Sequence, residues 1–310
     1  MNQLGSGVLN ISGIEVRYMT PMDLRVSRGL KYVDTFELLP MFQRLCFNPT
    51  TRAFDPPNIL LTGYKGNGKS LLFAYLAEQN QIPYLSLDCS EETKERHLKG
   101  GFVAKSGSTP FVLGTVANAI QVANETGTAM LVFEELNALS PQRQKELNAL
   151  TDFRKKIEIP ELSWRLELHQ NCRLFIAGTM NPSGPYGGTY ELNEDLKSRF
   201  IEIDLPYPPP GAEKRILREM SPEGSQIQDE VLEKLIAIAK ETRQEATGYA
   251  LSPRDLVQLL HVFVRLGWED VLFLIGQKFT SEDRPLVLKR IEDITRVATA
   301  PDLHSRRRIP

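Results

Sequence analysis

The residues with the clearest capacity for chemistry are Gly63-Tyr64-Lys65-Gly66-Asn67-Gly68-Lys69-Ser70. Their spacing is that of the GxxxxGK[ST] phosphate loop. Glycines at 63, 66 and 68 open backbone conformations closed to other residues and let main-chain N–H groups come close to phosphate oxygens. Lys69 can reach β- and γ-phosphates, and the Ser70 hydroxyl is the expected ligand for Mg²⁺. The helix that starts there, running on through Leu71, adds the positive end of its dipole. The predicted binding set for ATP with Mg²⁺ is therefore Gly63, Tyr64, Lys65, Gly66, Asn67, Gly68, Lys69, Ser70 and Leu71. GTP stays open, since no guanine-reading signature is evident. A glycine-rich turn with a chance lysine is the bland alternative. The fixed positions, with an apolar run before and a helical pattern after, weigh against it.

Triphosphate hydrolysis also needs a carboxylate at the end of a neighbouring strand for the metal, and a group beside it to position water. Ala129-Met130-Leu131-Val132-Phe133-Glu134-Glu135 supplies an apolar strand ending in two acids. Glu134 is the predicted metal-side carboxylate and Glu135 the residue that polarises the attacking water. The usual pair is Asp-Glu, so Glu134 carries an extra methylene and reaches the metal only if the backbone or a bridging water adjusts. Two solvated acids at a strand end would be unremarkable alone. After a phosphate loop, with no better acidic strand end in the core, the functional reading is the stronger one.

These residues need a scaffold, and the pattern provides one. Short apolar runs at Ile59–Leu61, Tyr84–Leu87, Met130–Phe133, Leu174–Ala177 and Phe200–Ile203 are bounded by turn residues, as buried parallel strands are. Helical patterns at 70–78, 114–126 and 141–153 lie between them, predicting an α/β parallel sheet covered on both faces. Leu205-Pro206-Tyr207-Pro208-Pro209-Pro210-Gly211 cannot continue a helix or central strand and reads as a linker. Beyond it the pattern is helical at 212–220, 229–242, 253–266, 271–279 and 284–297, with Val231, Leu232, Leu235, Ile236 and Ala239 on one face. The expected organisation is an N-terminal extension (1–55) with one helix-like stretch at 21–39, a nucleotide-binding core (56–206), an all-α domain (211–300) and a basic tail (301–310).

Taken in order, these motifs resemble the AAA+ ATPases, within them the MoxR-like branch that also includes CbbQ, GvpN and the midasin and dynein relatives. The resemblance runs from about Pro57 to Asp270. It rests on the phosphate loop, the acidic pair followed by Leu136-Asn137-Ala138-Leu139-Ser140-Pro141, and the strand end Gly178-Thr179-Met180-Asn181-Pro182. It rests also on Leu192–Phe200 before the fifth strand and on Leu251-Ser252-Pro253-Arg254-Asp255-Leu256. The resemblance implies a P-loop NTPase core with a small α-helical lid, and ATP hydrolysis. It implies that Asn181 is sensor 1 beside Glu135, Arg199 an arginine finger acting on a neighbouring subunit, and Arg254 a sensor-2 arginine. The catalytic set is then Lys69, Glu135, Asn181 and Arg199, with Ser70 and Glu134 at the metal. A hexameric ring acting on a protein partner is the family habit. Gly100–Phe111 reads as a β-hairpin, placed where that branch has a pore-facing insertion, and Ile157–Leu168 fits a second insertion. Phe102, Lys105 and Trp164 are candidate partner contacts, with ordinary strand packing as the alternative.

Composition limits what else the chain could be. Thirty-seven Lys+Arg against thirty-nine Asp+Glu excludes coating nucleic acid by bulk charge. A nucleic-acid motor or loader is the less favoured rival, and a slow nucleotide-dependent assembly module is favoured only by Glu134. No apolar run reaches membrane-spanning length and no secretory signal is visible, so the expectation is a cytoplasmic protein without membrane contact. Cys46, Cys89 and Cys172 are widely spaced and read as small buried residues. The four histidines do not fall at metal-ligand spacing.

Overall fold

The computed structural model describes residues 6–24, 29–47, 54–104, 107–181, 189–222, 226–243 and 249–296. It divides into two compact units, Met1–Tyr64 with Gly68–Leu205, and Lys65–Asn67 with Pro206–Pro310.

The first unit opens with strands β1 (Gly7–Ile11) and β2 (Ile14–Tyr18), then helix α1 (Leu38–Cys46) and strand β3 (Ile59–Gly63). Helix α2 (Lys69–Asn80), β4 (Tyr84–Asp88), α3 (Glu95–Leu98), β5 (Gly100–Phe102), β6 (Phe111–Leu113) and α4 (Thr115–Thr126) follow. After these come β7 (Thr128–Glu134), α5 (Pro141–Glu146), α6 (Asn148–Thr151), β8 (Lys156–Ile159) and β9 (Trp164–Glu167). The unit closes with β10 (Arg173–Met180), α7 (Glu194–Lys197) and β11 (Ile201–Leu205).

Five strands form a parallel sheet in the order β11-β3-β10-β7-β4, each joined by crossovers. This is an α/β P-loop NTPase-like core. Alternate side chains of each strand enter opposite cores. Leu60, Leu131, Phe133 and Ile176 pack with Val116, Ile120 and Ala123 of α4. Ile59, Leu61, Met130, Val132, Phe175 and Ala177 pack with Leu72, Phe73 and Leu76 of α2 and Phe42 of α1. The strands expected from apolar runs are all present, the last beginning at Ile201.

Three local expectations need correction. The helix expected at 21–39 is not seen among the described residues before Leu38. The helix lies later, at 38–46, where the Asp34 carboxylate accepts the Leu38 and Leu39 N–H groups at 2.8 and 3.0 Å. An acid capping exposed N–H groups starts a helix more effectively than a run of moderate formers. The helix expected over 141–153 is broken at Leu147, and its last residues form a turn closed by Lys155 N donating to Asp152 O. The N-terminal residues, expected as an extension, join the first unit: β2 pairs parallel to β6, and β1-β2-β6-β5 form a four-stranded sheet.

In the second unit α8 (Pro210–Met220), α9 (Asp229–Arg243), α10 (Pro253–Leu266), α11 (Trp268–Gly276) and α12 (Arg284–Arg296) share one core. Leu232, Leu235, Ile236 and Ala239 are buried in it and Val231 is half-buried. Pro210, the last of the linker prolines, opens α8 at its first position, where a missing N–H costs nothing. All three cysteines are buried and unpaired, and burial pushes the Cys46 thiol up to about 12. Among the described residues no helix is long and apolar enough to cross a membrane, and no three His, Cys, Asp or Glu side chains gather as a metal cluster.

Candidate active site

The site is assembled at the C-terminal ends of β3, β7 and β10. Gly63, the last residue of β3, has φ +138°, and a Cβ there would overlap the Leu205 carbonyl oxygen of the adjacent strand. Only glycine permits both the dihedral and that approach. Gly66 has φ +82° within the segment that groups with the second unit, where a Cβ would lie 2.6 Å from Ser252 Cβ and 3.3 Å from Arg254 Cβ. Gly68 caps α2 in the left-handed region, and Lys69 and Ser70 begin the helix, so the first N–H groups of α2 face the loop.

Lys69 is buried and its ammonium donates to Gly63 O at 2.6 Å, Tyr64 O at 2.9 Å and Asn181 Oδ1 at 3.1 Å. Asn181, also buried at the end of β10, donates Nδ2 to Glu135 Oε1 at 3.4 Å. A continuous polar chain therefore runs from the loop lysine through the amide to the second carboxylate. A parallel link joins Ser70 Oγ, which donates to Glu134 Oε2 at 2.5 Å. The extra methylene of Glu134 thus carries its carboxylate directly to the serine hydroxyl. A hydroxyl and a carboxylate side by side are the hard oxygen donors suited to Mg²⁺, which otherwise keeps its waters. Ser70 and Glu134 would hold it, and the residues present fit that ion.

Two features escaped sequence reasoning. Thr179 ties the two carboxylates together: its Oγ1 donates to Glu134 Oε2 at 2.6 Å and accepts the Glu135 N–H at 3.1 Å. Glu135 itself has φ +53° and ψ +50°, a left-handed conformation that is costly for a side chain of this kind and is found where a site requires a particular aim. A threonine two residues before the strand-end asparagine was a legible polar residue in an apolar strand. The backbone of Glu135 carried no signal.

Arg199 is not brought to this group. It precedes β11 at the opposite end of the sheet, where its carbonyl accepts Asn58 Nδ2 at 3.0 Å, and Asn58 immediately precedes β3. The five residues of β3 separate that end from the loop, about 16 Å at the usual rise. Arg254 belongs to the second unit and is exposed in the first turn of α10. Ser252 and Asp255 cap that helix reciprocally, through Asp255 N to Ser252 Oγ at 3.2 Å and Ser252 N to Asp255 Oδ2 at 2.9 Å. Burial works against the Asp255 carboxylate, yet the Lys278 ammonium and the Ser252 donors hold its pKa below the ordinary value.

The expected hairpin forms from β5 and β6, with Phe102 half-exposed and edge-on to Phe111 at 5.3 Å. Lys105, Pro182 and the tail 301–310 lie outside the described residues. In the second expected insertion, β8 and β9 pair antiparallel. Ile157, Ile159, Leu162 and Leu166 are core residues, and Trp164 lies half-buried against them.

Residues 58–200 match the family model of the AAA domain, dynein-related subfamily. The matched segment, a little under half of the chain, contains both strand-end acids, Asn181 and Arg199, as well as the phosphate loop. Among curated proteins, the uncharacterized protein YojN of Bacillus subtilis (strain 168) is 26% identical over 196 residues, 63% of this chain and 62% of that protein. An uncharacterized protein of Staphylococcus aureus (strain USA300) is 29% identical over 181 residues, 56% of this chain and 65% of that protein. The chain thus spans less than two thirds of the length of these relatives. Among solved structures, a candidate ATPase from Cytophaga hutchinsonii superposes with a TM-score of 0.46 at 16% identity, covering 88% of this chain and 92% of that one. A RuvB variant from Thermotoga maritima gives 0.45 at 16% identity, covering 76% and 62%.

Proposed function

We propose that this chain is a Mg²⁺-dependent AAA+ ATPase of the MoxR-like kind that works as a ring, hydrolysing ATP between copies to remodel or activate a protein partner. The observation that carries the reading is the unbroken polar chain Lys69–Asn181–Glu135 beside the Ser70–Glu134 pair, built on an AAA-domain match.

In this reading the loop N–H groups, the start of α2 and Lys69 hold the phosphates. Lys69 re-aims one N–H from a loop carbonyl to a phosphate oxygen while Asn181 keeps its position. Glu135, held by Asn181 and Thr179, orients a water in line with the γ-phosphorus and takes up its proton. When bound by Ser70 and Glu134, Mg²⁺ supplies neutralisation of the phosphate charge. Arg254 reports phosphate occupancy to the helical unit. Arg199 completes the site of an adjoining copy, because the length of the sheet lies between it and its own loop.

Glu135→Gln provides the test. It keeps the shape and the Asn181 contact but cannot accept a proton. We expect ATP binding within about threefold of wild type and phosphate release lowered about 10²–10³-fold, in the range assigned to general-base catalysis. An undiminished rate would overturn the assignment. Native mass measurement with ATP checks the ring, and capture on the Glu135→Gln variant, with single-stranded DNA as a competing stimulus, separates a protein partner from nucleic acid.

A further inference from the structure

The end of the sheet opposite the phosphate loop carries an arrangement that none of the motifs explains. The turn after α6, closed between Asp152 and Lys155, places the Asp152 carboxylate beside Arg199. Arg154 clasps the Asp152 carboxylate through its own N–H at 2.8 Å, Nε at 2.9 Å and Nη2 at 2.6 Å. These contacts hold the carboxylate below its usual range. The same Oδ2 lies 3.5 Å from Arg199 Nη1, so two guanidinium groups address one acid. The Nε of Arg199 is buried without a partner among the described residues.

Beneath them Asn58, only 8% exposed, acts as a clip. Its Nδ2 donates to Thr151 O at 2.7 Å and to Arg199 O at 3.0 Å, and its Oδ1 accepts the Lys155 ammonium at 2.8 Å. One buried amide therefore fixes both ends of the turn and the backbone of Arg199 against the start of β3. The carboxylate is anchored by one arginine and presented to the other.

We propose that Asp152 is a positioning residue for Arg199. The proposal rests on the reading that Arg199 acts on an adjoining copy. An arginine side chain loses much rotamer freedom on being aimed, and a fixed acid beside it removes part of that loss before the copies meet. A contact of 3.5 Å orients the guanidinium without closing a full hydrogen bond, which leaves its N–H groups for a phosphate.

The experiment separates lender from host. Host copies carry Arg199→Ala and keep an intact binding site. Lender copies carry Lys69→Ala, so they supply Arg199 but do not hydrolyse. Mixing the two should restore hydrolysis; no restoration would overturn the trans reading itself. A lender carrying Lys69→Ala with Asp152→Ala should restore at least tenfold less kcat, with KM for ATP unchanged because the nucleotide sits in the host. Equal restoration by both lenders would overturn the positioning role while leaving the trans reading intact. If Asp152→Ala copies fail to fold or co-assemble, Asp152→Asn carries the same test with the same two outcomes.

Discussion

The two ends of the central sheet are built in opposite ways. At the C-terminal end, Lys69, Asn181, Glu135, Thr179, Glu134 and Ser70 are joined by hydrogen bonds into one connected network. At the other end, Arg199 has one acid 3.5 Å away and, among the described residues, a buried Nε with no partner. A site complete in itself can be organised by its own chain. A group proposed to act on another copy has to be held ready and left short of full pairing. Residues at the first end should therefore fail in isolated copies, and those at the second should fail only in what they do for a neighbour.

The largest effect expected from this contrast is at Arg199. Arg199→Ala should lower kcat about 10³–10⁵-fold, the range of arginine fingers, while ATP affinity in the same copy stays within about threefold. Single-turnover hydrolysis alongside equilibrium nucleotide binding checks it. A parallel loss of binding would place Arg199 at its own copy's nucleotide and erase the contrast.

A smaller effect is expected at Thr179, which sharpens the account of the organised end. Thr179→Val keeps the shape but leaves the Glu135 N–H without its acceptor and removes one of the two donors to Glu134 Oε2. Loss of a partner for a partly buried donor costs about 1–3 kcal/mol, which in a transition state is roughly 10-fold or more in kcat. Because the lost bonds aim carboxylates and do not touch the loop, ATP binding should stay near wild type. A kcat within twofold of wild type would show that the left-handed backbone at Glu135 holds itself.

Much of the organised end was legible because it is written locally. The loop needs its glycines and Lys69 at fixed spacing, and the strands needed only apolar runs between turn residues. The helical unit was equally clear from the faces of 229–242 and 253–266. What could not be read is carried by contacts between distant segments. Thr179 meets Glu135 across forty-four positions, and Asn58 joins residues 151, 155 and 199. Nothing in the letters at 58 distinguishes a clip from a strand-preceding polar residue. The helix expected across 141–153 failed for a related reason: a good local pattern was interrupted so that Asp152–Lys155 could form the turn beside Arg199. At 21–39 the helix formers are overruled by Asp34, whose carboxylate caps the helix that starts at Leu38.

The smallest effect concerns Lys155, which donates to Asn58 Oδ1 at the N-terminal end of β3 and carries a φ of +41°. Burial pushes its pKa down from 10.5 to about 8, with the nearby Asp152 charge opposing the shift. Between about pH 8 and 10.5 the unfolded chain therefore binds the proton that the folded chain has released. Stability then rises with pH across that window, by about 1.4 kcal/mol per pH unit from this one group. Below about pH 8 the lysine is charged in both states, so its burden on the fold is constant and at its largest. Lys155→Met removes the proton from the balance, at the cost of the hydrogen bond to Asn58 Oδ1, about 0.5–1.5 kcal/mol. Denaturant midpoints of both proteins between pH 7 and 10 should run parallel below about pH 8 and then diverge, wild type gaining on the variant. Curves parallel throughout would mean that the ammonium is solvated, and that the clip at the foot of β3 is looser than the distances around Asn58 imply.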